Sequence, residues 1–332
     1  MSGVDLPLAR EYPEGLLDEA ALDVDGVPIS AKARRDALLI AAFDFKVESP
    51  SLRGSRLSIP LVIENVGAGH RVPAGFSQER EIWVHLTVKD KAGKLLYEVG
   101  RVDRNDEDLH DKVFVRVNTN PSQLDLNGRP IGMFGADVRD GADKPQWSPP
   151  PDLGGTRFVG KGLINFQNGF LRCVTCIGIV AADGSCQPGA GQGNFRADRF
   201  ADGQYDIDTG ECGSNLSGQN ALFETYFPVG ALDSFRGLIK APDAIVDTRS
   251  AAPGVPLSYT YELDLGSARG PLTIEARLLF RAFPPYLIRA FADYERQMAQ
   301  AGKRPSGPSV DEGMMKRIDI VEIAKVKRAV NP

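Results

Sequence analysis

The chain has 332 residues, 42% hydrophobic and 25% charged, with a net charge of −5 from 39 basic and 44 acidic side chains. This length can bury one large core or two modest ones, and an acidic balance without a Lys/Arg run argues against nucleic acid or anionic membrane as the main partner. No apolar run approaches the ~18 residues of a membrane-spanning helix; 35 glycines and 23 prolines separate short alternating runs, the texture of an all-β protein with long loops.

Residues 1–45 predict an extended lead-in with a short helix at EGLLDEAAL and a second over SAKARRDALLIAAF (30–43), where Ser30 is the expected N-cap. The opening MSGVDLPLAREYPEG lacks the apolar stretch of a signal peptide. That fits a cytoplasmic protein, or a segment of a longer exported chain. FDFKVES reads as a strand, and RLSIPLVIEN as another, in which Leu57, Ile59, Leu61 and Ile63 alternate with Ser58, Pro60, Val62 and Glu64. Pro60 predicts an edge strand or a bulge there. The connection NVGAGHRVPAG (65–75) holds one of three histidines; Gly67 and Gly69 are expected where a Cβ would clash, and Pro73 sets the exit. REIWVHLTVKD then puts Ile82, Val84, Leu86 and Val88 on one face and Trp83, His85 and Thr87 on the other. The turn DKAGK leads into LLYEVGRV.

Near the C-terminus LSYTYELDL (257–265) and LTIEARLLFR (272–281) alternate without fault, joined by GSARGP as a hairpin. These runs predict an all-β, immunoglobulin-like β-sandwich built from 46–102 and 246–332, each sheet with one buried face. PPYLIRAFADYERQMAQAGK (284–303) switches to helical period between Pro284 and Gly302, and RIDIVEIAKV reads as a closing strand. Residues 103–245 differ: they are rich in Gly, Asp, Asn and Pro and too long for a plain loop. They are expected to form a loop-rich insertion.

All four cysteines lie in that insertion, as C-x2-C-x9-C-x25-C: Cys173, Cys176, Cys186 and Cys212. Ile177 follows the C-x-x-C, so this is not a haem attachment signature, which needs His there. A thioredoxin-like site wants a helix N-terminus in a βαβ unit. Two disulfides stapling the insertion are one reading, with Cys173 and Cys176 each bonded outward; a four-thiolate zinc site is the second, and free thiols are the third. RADRFADGQYDIDTGECGSN (196–215) sets Asp198, Asp202, Asp206, Asp208 and Glu211 among glycines. Hard oxygens on a turning backbone suit Ca²⁺, although the spacing is not that of an EF-hand and solvated Asx turns explain the cluster more simply.

Catalytic constellations are thin. His70, His85 and His110 follow no known zinc spacing, Ser214 and Ser217 lack a G-x-S-x-G elbow, and VGAGH leads to Pro73 where a phosphate loop would lead to a helix.

The run from Ile59 to Gly100 resembles the β-rich domain that follows the haem-binding part of some bacterial multihaem c-type cytochromes. The shared pattern falls on Asn65, Gly67, Ala68, Gly69, His70, Pro73, Gly75, Arg80 and Trp83; EARLLFRAFPPYLIRAF looks like that family's closing strand and helix, and SGVDLPL like a junction after a haem domain. The resemblance covers about a third of the chain. It departs from the family in having no C-x-x-C-H, so this chain holds no covalent haem by itself. What the resemblance implies is a non-catalytic module of an exported, periplasmic or cell-surface electron-transfer system, docking against a haem-bearing domain or subunit. Export would favour disulfides over zinc. His70 would then be a candidate axial ligand to a neighbouring haem, against the plainer role of bonding a loop carbonyl. The rival readings are a metal-dependent enzyme using His70, His110 and nearby carboxylates, and a Ca²⁺-stabilised carbohydrate-binding module using Trp83 or Trp147.

Overall fold

The computed structural model describes residues 24, 26, 31–74, 80–102, 109, 157–167, 250–267, 270–303, 310 and 318–331, and the backbone of strands within 115–118, 136–137, 169–180, 186–188, 200–202, 205–206, 211–212, 221–225 and 244–246. In chain order α1 (Ala31–Ala42) runs straight into β1 (Phe43–Val47), followed by β2 (Ser51–Arg53), β3 (Arg56–Asn65), β4 (Glu81–Lys89) and β5 (Leu95–Val99). The middle of the chain holds β6 (Val115–Asn118), β7 (Ala136–Asp137), β8 (Arg157–Gly160), β9 (Asn165–Phe166), β10 (Gly169–Val180), β11 (Cys186–Pro188) and β12 (Phe200–Asp202). It continues with β13 (Tyr205–Asp206), β14 (Glu211–Cys212), β15 (Ala221–Thr225) and β16 (Ala244–Val246). β17 (Leu257–Asp264), β18 (Leu272–Arg281), α2 (Pro285–Gln300) and β19 (Ile320–Val330) close the chain.

The architecture is all-β and sandwich-like. One sheet has the order β1–β3–β17–β8, with β2 also on β3; the other has the order β19–β18–β4–β5, with β9 also on β4. The alternation seen in the sequence sets both inner faces. In the first sheet Leu57, Ile59, Leu61 and Ile63 stand opposite Leu263, Tyr261, Tyr259 and Leu257; in the second Ile82, Val84, Leu86 and Val88 stand opposite Phe280, Leu278, Ala276 and Ile274. All of these are buried in one continuous core. Tyr97 of β5 meets Tyr261 of β17 across the layers, with ring centroids 6.3 Å apart and tilted by 59°, a favoured aromatic geometry.

Residues 157–167, within the stretch expected as insertion, contribute to both layers. β8 adds parallel to β17, and β9 lengthens the edge of β4 that β5 leaves uncovered. A separate sheet, β11–β10–β15–β6–β7 with β12 and β16 also on β10, and the hairpin β13–β14 make up the described part of the rest.

Two further sequence expectations change in the sheets themselves. Pro60 lies on a central strand, between β1 or β2 on one side and β17 on the other. Its carbonyl accepts from Glu48 N, and because a strand residue's N and C=O point the same way, its imino nitrogen faces the gap where β1 gives way to β2. No ladder bond is lost, so proline is tolerated in the interior. The second sheet also departs from the expectation of one buried face. Glu81, Trp83, Leu279 and Arg281 lie on the side of the sheet away from the core-facing Ile82 and Phe280, and are nonetheless buried.

The charges on that second face are paired. Arg281 Nε donates to Glu81 Oε2 at 2.8 Å, Nη2 donates to the same oxygen, and the guanidinium carbon lies 5.5 Å from the Trp83 ring centroid. Trp83 Nε1 donates to Gly100 O at 2.9 Å. Taking two charges out of water costs several kcal/mol per ion, so the pair adds little net stability while depending strongly on both members. Gly100 is constrained independently: φ is +79° and a Cβ would lie 2.2 Å from Val84 O.

Two stability measurements check this account. Arg281→Met, which strands Glu81 in the interior, should lower the denaturant-unfolding free energy by about 3–5 kcal/mol, with Glu81→Leu added recovering most of the loss. Gly100→Ala, combining a left-handed backbone with a steric clash, should cost about 3 kcal/mol or more. Gly93→Ala, at φ +83° with open space around it, should cost only about 1–2 kcal/mol.

Candidate functional site

Asn65, the last residue of β3, is fully buried. Its Oδ1 accepts from Ala68 N at 3.0 Å, and its Nδ2 donates to His70 O at 2.8 Å and Ala251 O at 3.1 Å. One amide therefore closes the loop 66–70 and ties it to the segment leading into β17. Val72 continues the link by exchanging two backbone bonds with Ala251, at 3.0 and 2.7 Å. The start of the loop is pinned to α1: Val66 N and Gly67 N both donate to Ala42 O, at 2.9 and 3.2 Å, supplying partners to a helix C-terminus that would otherwise lack them. Gly67 is needed for this approach, since a Cβ would lie 2.3 Å from Ala41 O. Gly69 is different. Its Cβ position faces open space, so the expected clash there does not occur. The Val72–Pro73 peptide is cis.

His70 is exposed on this loop, and its Nδ1 lies 2.8 Å from Arg71 O. A carbonyl only accepts, so Nδ1 carries the proton and donates. In the neutral ring this tautomer leaves the Nε2 lone pair available, and Nε2 has no hydrogen-bond partner among the described residues. A ring oriented through Nδ1–H to a carbonyl is the arrangement of metal-binding histidines. The carbonyl role and the ligand role expected for His70 are thus compatible, because they use different nitrogens.

Beside His70 opens a pocket of about 190 Å³. Among the described residues, its apolar lining includes Leu39 of α1, Val72 and Pro73 of the loop, and Phe280 of β18, and its basic lining is His70, Arg35 and Arg80. Phe280 pairs with Ile82 at the start of β4, so the pocket sits at one end of the sandwich. Arg35 donates from Nε to Asp36 at 2.7 Å and reaches Asp319 at 3.5 Å. Arg80 Nη1 donates to Ala74 O, joining the ends of the 75–79 segment. Burial pulls the Arg80 guanidinium below its ordinary pKa by stripping water from the charged form. Large apolar side chains are also exposed close by: Leu38 and Ile40 on α1, Val66 at the loop entry, and Ile320 at the start of β19, which packs on α1.

The remaining predicted residues fall elsewhere. His85 is half-buried on β4, with Nε2 3.0 Å from Glu98 Oε1. Trp83 is fully buried, which removes it as an exposed sugar platform. His110 and Trp147 lie outside the described residues, as do Asp198 and Asp208. Cys173 and Cys176 lie on β10, opposite Leu222 and Ala201, with the β12 register shifting between Val174 and Cys176. Cys186 pairs with Val180 in β11–β10, and Cys212 with Tyr205 in β13–β14; the cysteine side chains lie outside the described set. Asp202 ends β12, and Asp206 and Glu211 face each other in the β13–β14 ladder. Among the described residues no three His, Cys, Asp or Glu side chains come together as a metal site.

Sequence reasoning missed Arg35. Its signal was present: Arg35, Leu39 and Ala42 recur at i, i+4 and i+7, placing a cation on the buried stripe of α1. The clamp role of Asn65 had no such signal, because its partners include Ala251, far away in sequence.

No protein-family model matches the chain, and no curated protein does. Among solved structures the chain is similar to a penta-haem cytochrome c552 from Thermochromatium tepidum, at 10% identity and a TM-score of 0.36, over 95% of this chain and 49% of that one. The chain spans about half the length of the cytochrome chain it matches, and a TM-score this low does not establish a common fold.

Proposed function

We propose that this chain is a non-catalytic module of an exported multihaem electron-transfer system, docking against a haem-bearing domain or subunit through the face that carries α1 and the 65–74 loop. The observation that carries this reading is the state of His70. It is exposed, held through Nδ1–H, and presents Nε2 as a lone-pair donor. Haem iron with an open axial position accepts such a nitrogen. The surrounding surface supports docking: the exposed apolar residues of α1, Val66 and Ile320 resemble the apolar centre of a protein contact. The residue pattern from Asn65 to Trp83 supports the choice of partner. Within this reading the insertion lies in an oxidising compartment, the four cysteines form disulfides, and Asp202, Asp206, Asp208 and Glu211 would offer oxygens to Ca²⁺.

Two outcomes test it. Titrated with a c-type haem peptide that has one open axial position, the protein should convert the iron to a six-coordinate, low-spin spectrum. His70→Ala should abolish the change and His85→Ala should preserve it; equal binding by His70→Ala would remove His70 from the contact. The gene should also lie beside, or in frame with, a sequence encoding C-x-x-C-H motifs, and a neighbourhood without them would count against the cytochrome assignment.

A further inference from the structure

We infer that the second half of β19 is an open sheet edge that takes up an acidic, extended segment of a partner protein as an added strand. Such an edge needs no haem and acts independently of the docking role.

Two separate features of the fold point to it. The first is the edge itself. β19 is the outermost strand of the second sheet and is bonded on one side, to β18. The ladder is irregular between Leu278 and Leu279, but from Ala324 to Val330 it runs unbroken opposite Leu278 to Leu272. That regular stretch is about 23 Å of strand at ~3.3 Å per residue, and its outward N–H and C=O groups lack a neighbouring strand. Besides β18, the described elements that pack along β19 are α1 and β1, and both belong to its first half. Arg35 of α1 reaches Asp319, the residue before the strand. The level of β1 follows from the register. Tyr97 meets Tyr261 across the layers, and Tyr97 leads through Val88 and Ile274 to Arg328 in the second sheet. In the first sheet Tyr261 stands opposite Ile59, past Leu61, where β1 ends. At the level of Arg328, therefore, β1 has already stopped. Lys327, Arg328 and Ala329 are accordingly exposed in succession.

The second feature is charge. Lys325 is paired with Glu275 across the ladder, whereas Lys327 and Arg328 have no acidic partner among the described residues; Arg328 Nη1 reaches the Lys327 carbonyl at 3.4 Å. Adjacent strand residues point to opposite faces, so these two cations flank the edge, one on each side. They disfavour a second copy of this chain. An antiparallel pairing of two β19 strands centred here would set Lys325, Lys327 and Arg328 against the same residues, and like charges placed opposite one another destabilise a sheet. The same charges select an acidic strand. Two consecutive acidic residues, one on each face, meet Lys327 and Arg328, and β-branched residues flanking them pack beside Val326 and Val330, which are half-buried and buried. In strand addition of this kind the backbone bonds supply affinity and the side chains supply the choice of partner.

The probe is an amidated, N-terminally labelled hexapeptide, Thr-Val-Glu-Glu-Val-Thr. Added to the full chain, it should bind saturably by fluorescence anisotropy and slow amide hydrogen exchange across residues 324–330. Methylating one alternate set of its backbone nitrogens, the set that faces the edge, should abolish binding; methylating the other set should preserve it, with the charge the same in both. The counterpart Thr-Val-Lys-Lys-Val-Thr should not bind the wild type. Lys327→Glu combined with Arg328→Glu should weaken the glutamate peptide at least about tenfold and confer binding of the lysine peptide, with circular dichroism confirming the fold. His70→Ala should bind the glutamate peptide as the wild type does, so failure of the haem-docking role leaves this result standing. No saturable binding, an affinity that survives both methylations or the charge reversal, or protection that falls outside 324–330 overturns the assignment. Concentration-dependent dimerisation of the free chain with protection of 324–330 would assign the edge to a second copy and overturn it equally.

Discussion

The Asn65 side chain is the interaction on which the functional end of the molecule depends. A buried primary amide has two donors and an acceptor that must find partners, and leaving one unmet costs roughly 1–3 kcal/mol. Here those groups are spent on Ala68, His70 and Ala251, so the requirement to satisfy one amide dictates the path of the loop. The backbone of Asn65 adds a fourth tie, its carbonyl accepting from Gly254 N at 2.8 Å. A loop placed this way is rigid because the alternatives leave polar groups buried without partners. His70, Val72 and Pro73 inherit their positions from that constraint, and with them the mouth of the pocket.

The opposite requirement governs the second sheet. An antiparallel sheet in a two-layer sandwich can leave one face in water, and along the far half of β18 it does: Glu275 and Arg277 face outward and pair with Lys325 and Glu322 across the ladder. Towards Arg281 both faces are covered, and the charged residues placed there must be neutralised in the interior. Glu81 and Arg281 stand directly opposite in the ladder, so register itself brings the two charges together. The Trp83 ring beside them offers its electron-rich face to the guanidinium. Gly100 completes this corner, because only a residue without Cβ lets the chain pass close enough to Val84 for its carbonyl to meet the indole N–H.

Much of the sandwich was legible in the sequence because period-two alternation is a local property that survives into the fold. RLSIPLVIEN and LTIEARLLFR are strands over the same residues in the structure, and the faces assigned to Leu57, Ile59, Leu61 and Ile63 and to the even positions from 82 to 88 are the core faces. The helix preceding β1 was legible from its apolar stripe, and α2 from Pro285 onwards by its change of period. The sense of Pro60 was misread, because the penalty for proline depends on where its missing N–H would point, and only the break between β1 and β2 shows that it points at no acceptor. Trp83 was assigned by alternation to an outer face, correctly, but alternation does not say whether an outer face is covered.

The sequence by itself determined the class of the fold, the long strands β3, β4, β17 and β18 at the centre of the two layers, and the residues of those strands that enter the core, since burial pattern and backbone period are written within a few neighbouring positions; β8 and β9, from the stretch expected as insertion, joined the layers only in the tertiary structure. Tertiary structure alone decided the site. Arg35, His70, Arg80 and Phe280 converge on one pocket from a helix, a loop, the approach to β4 and the end of β18. The polar partners of Asn65 come from segments nearly two hundred residues apart, |i−j| being 186 for Ala251. Hydrogen bonding and desolvation act through space, and the spacing of residues along the chain carries no record of which distant groups they will join.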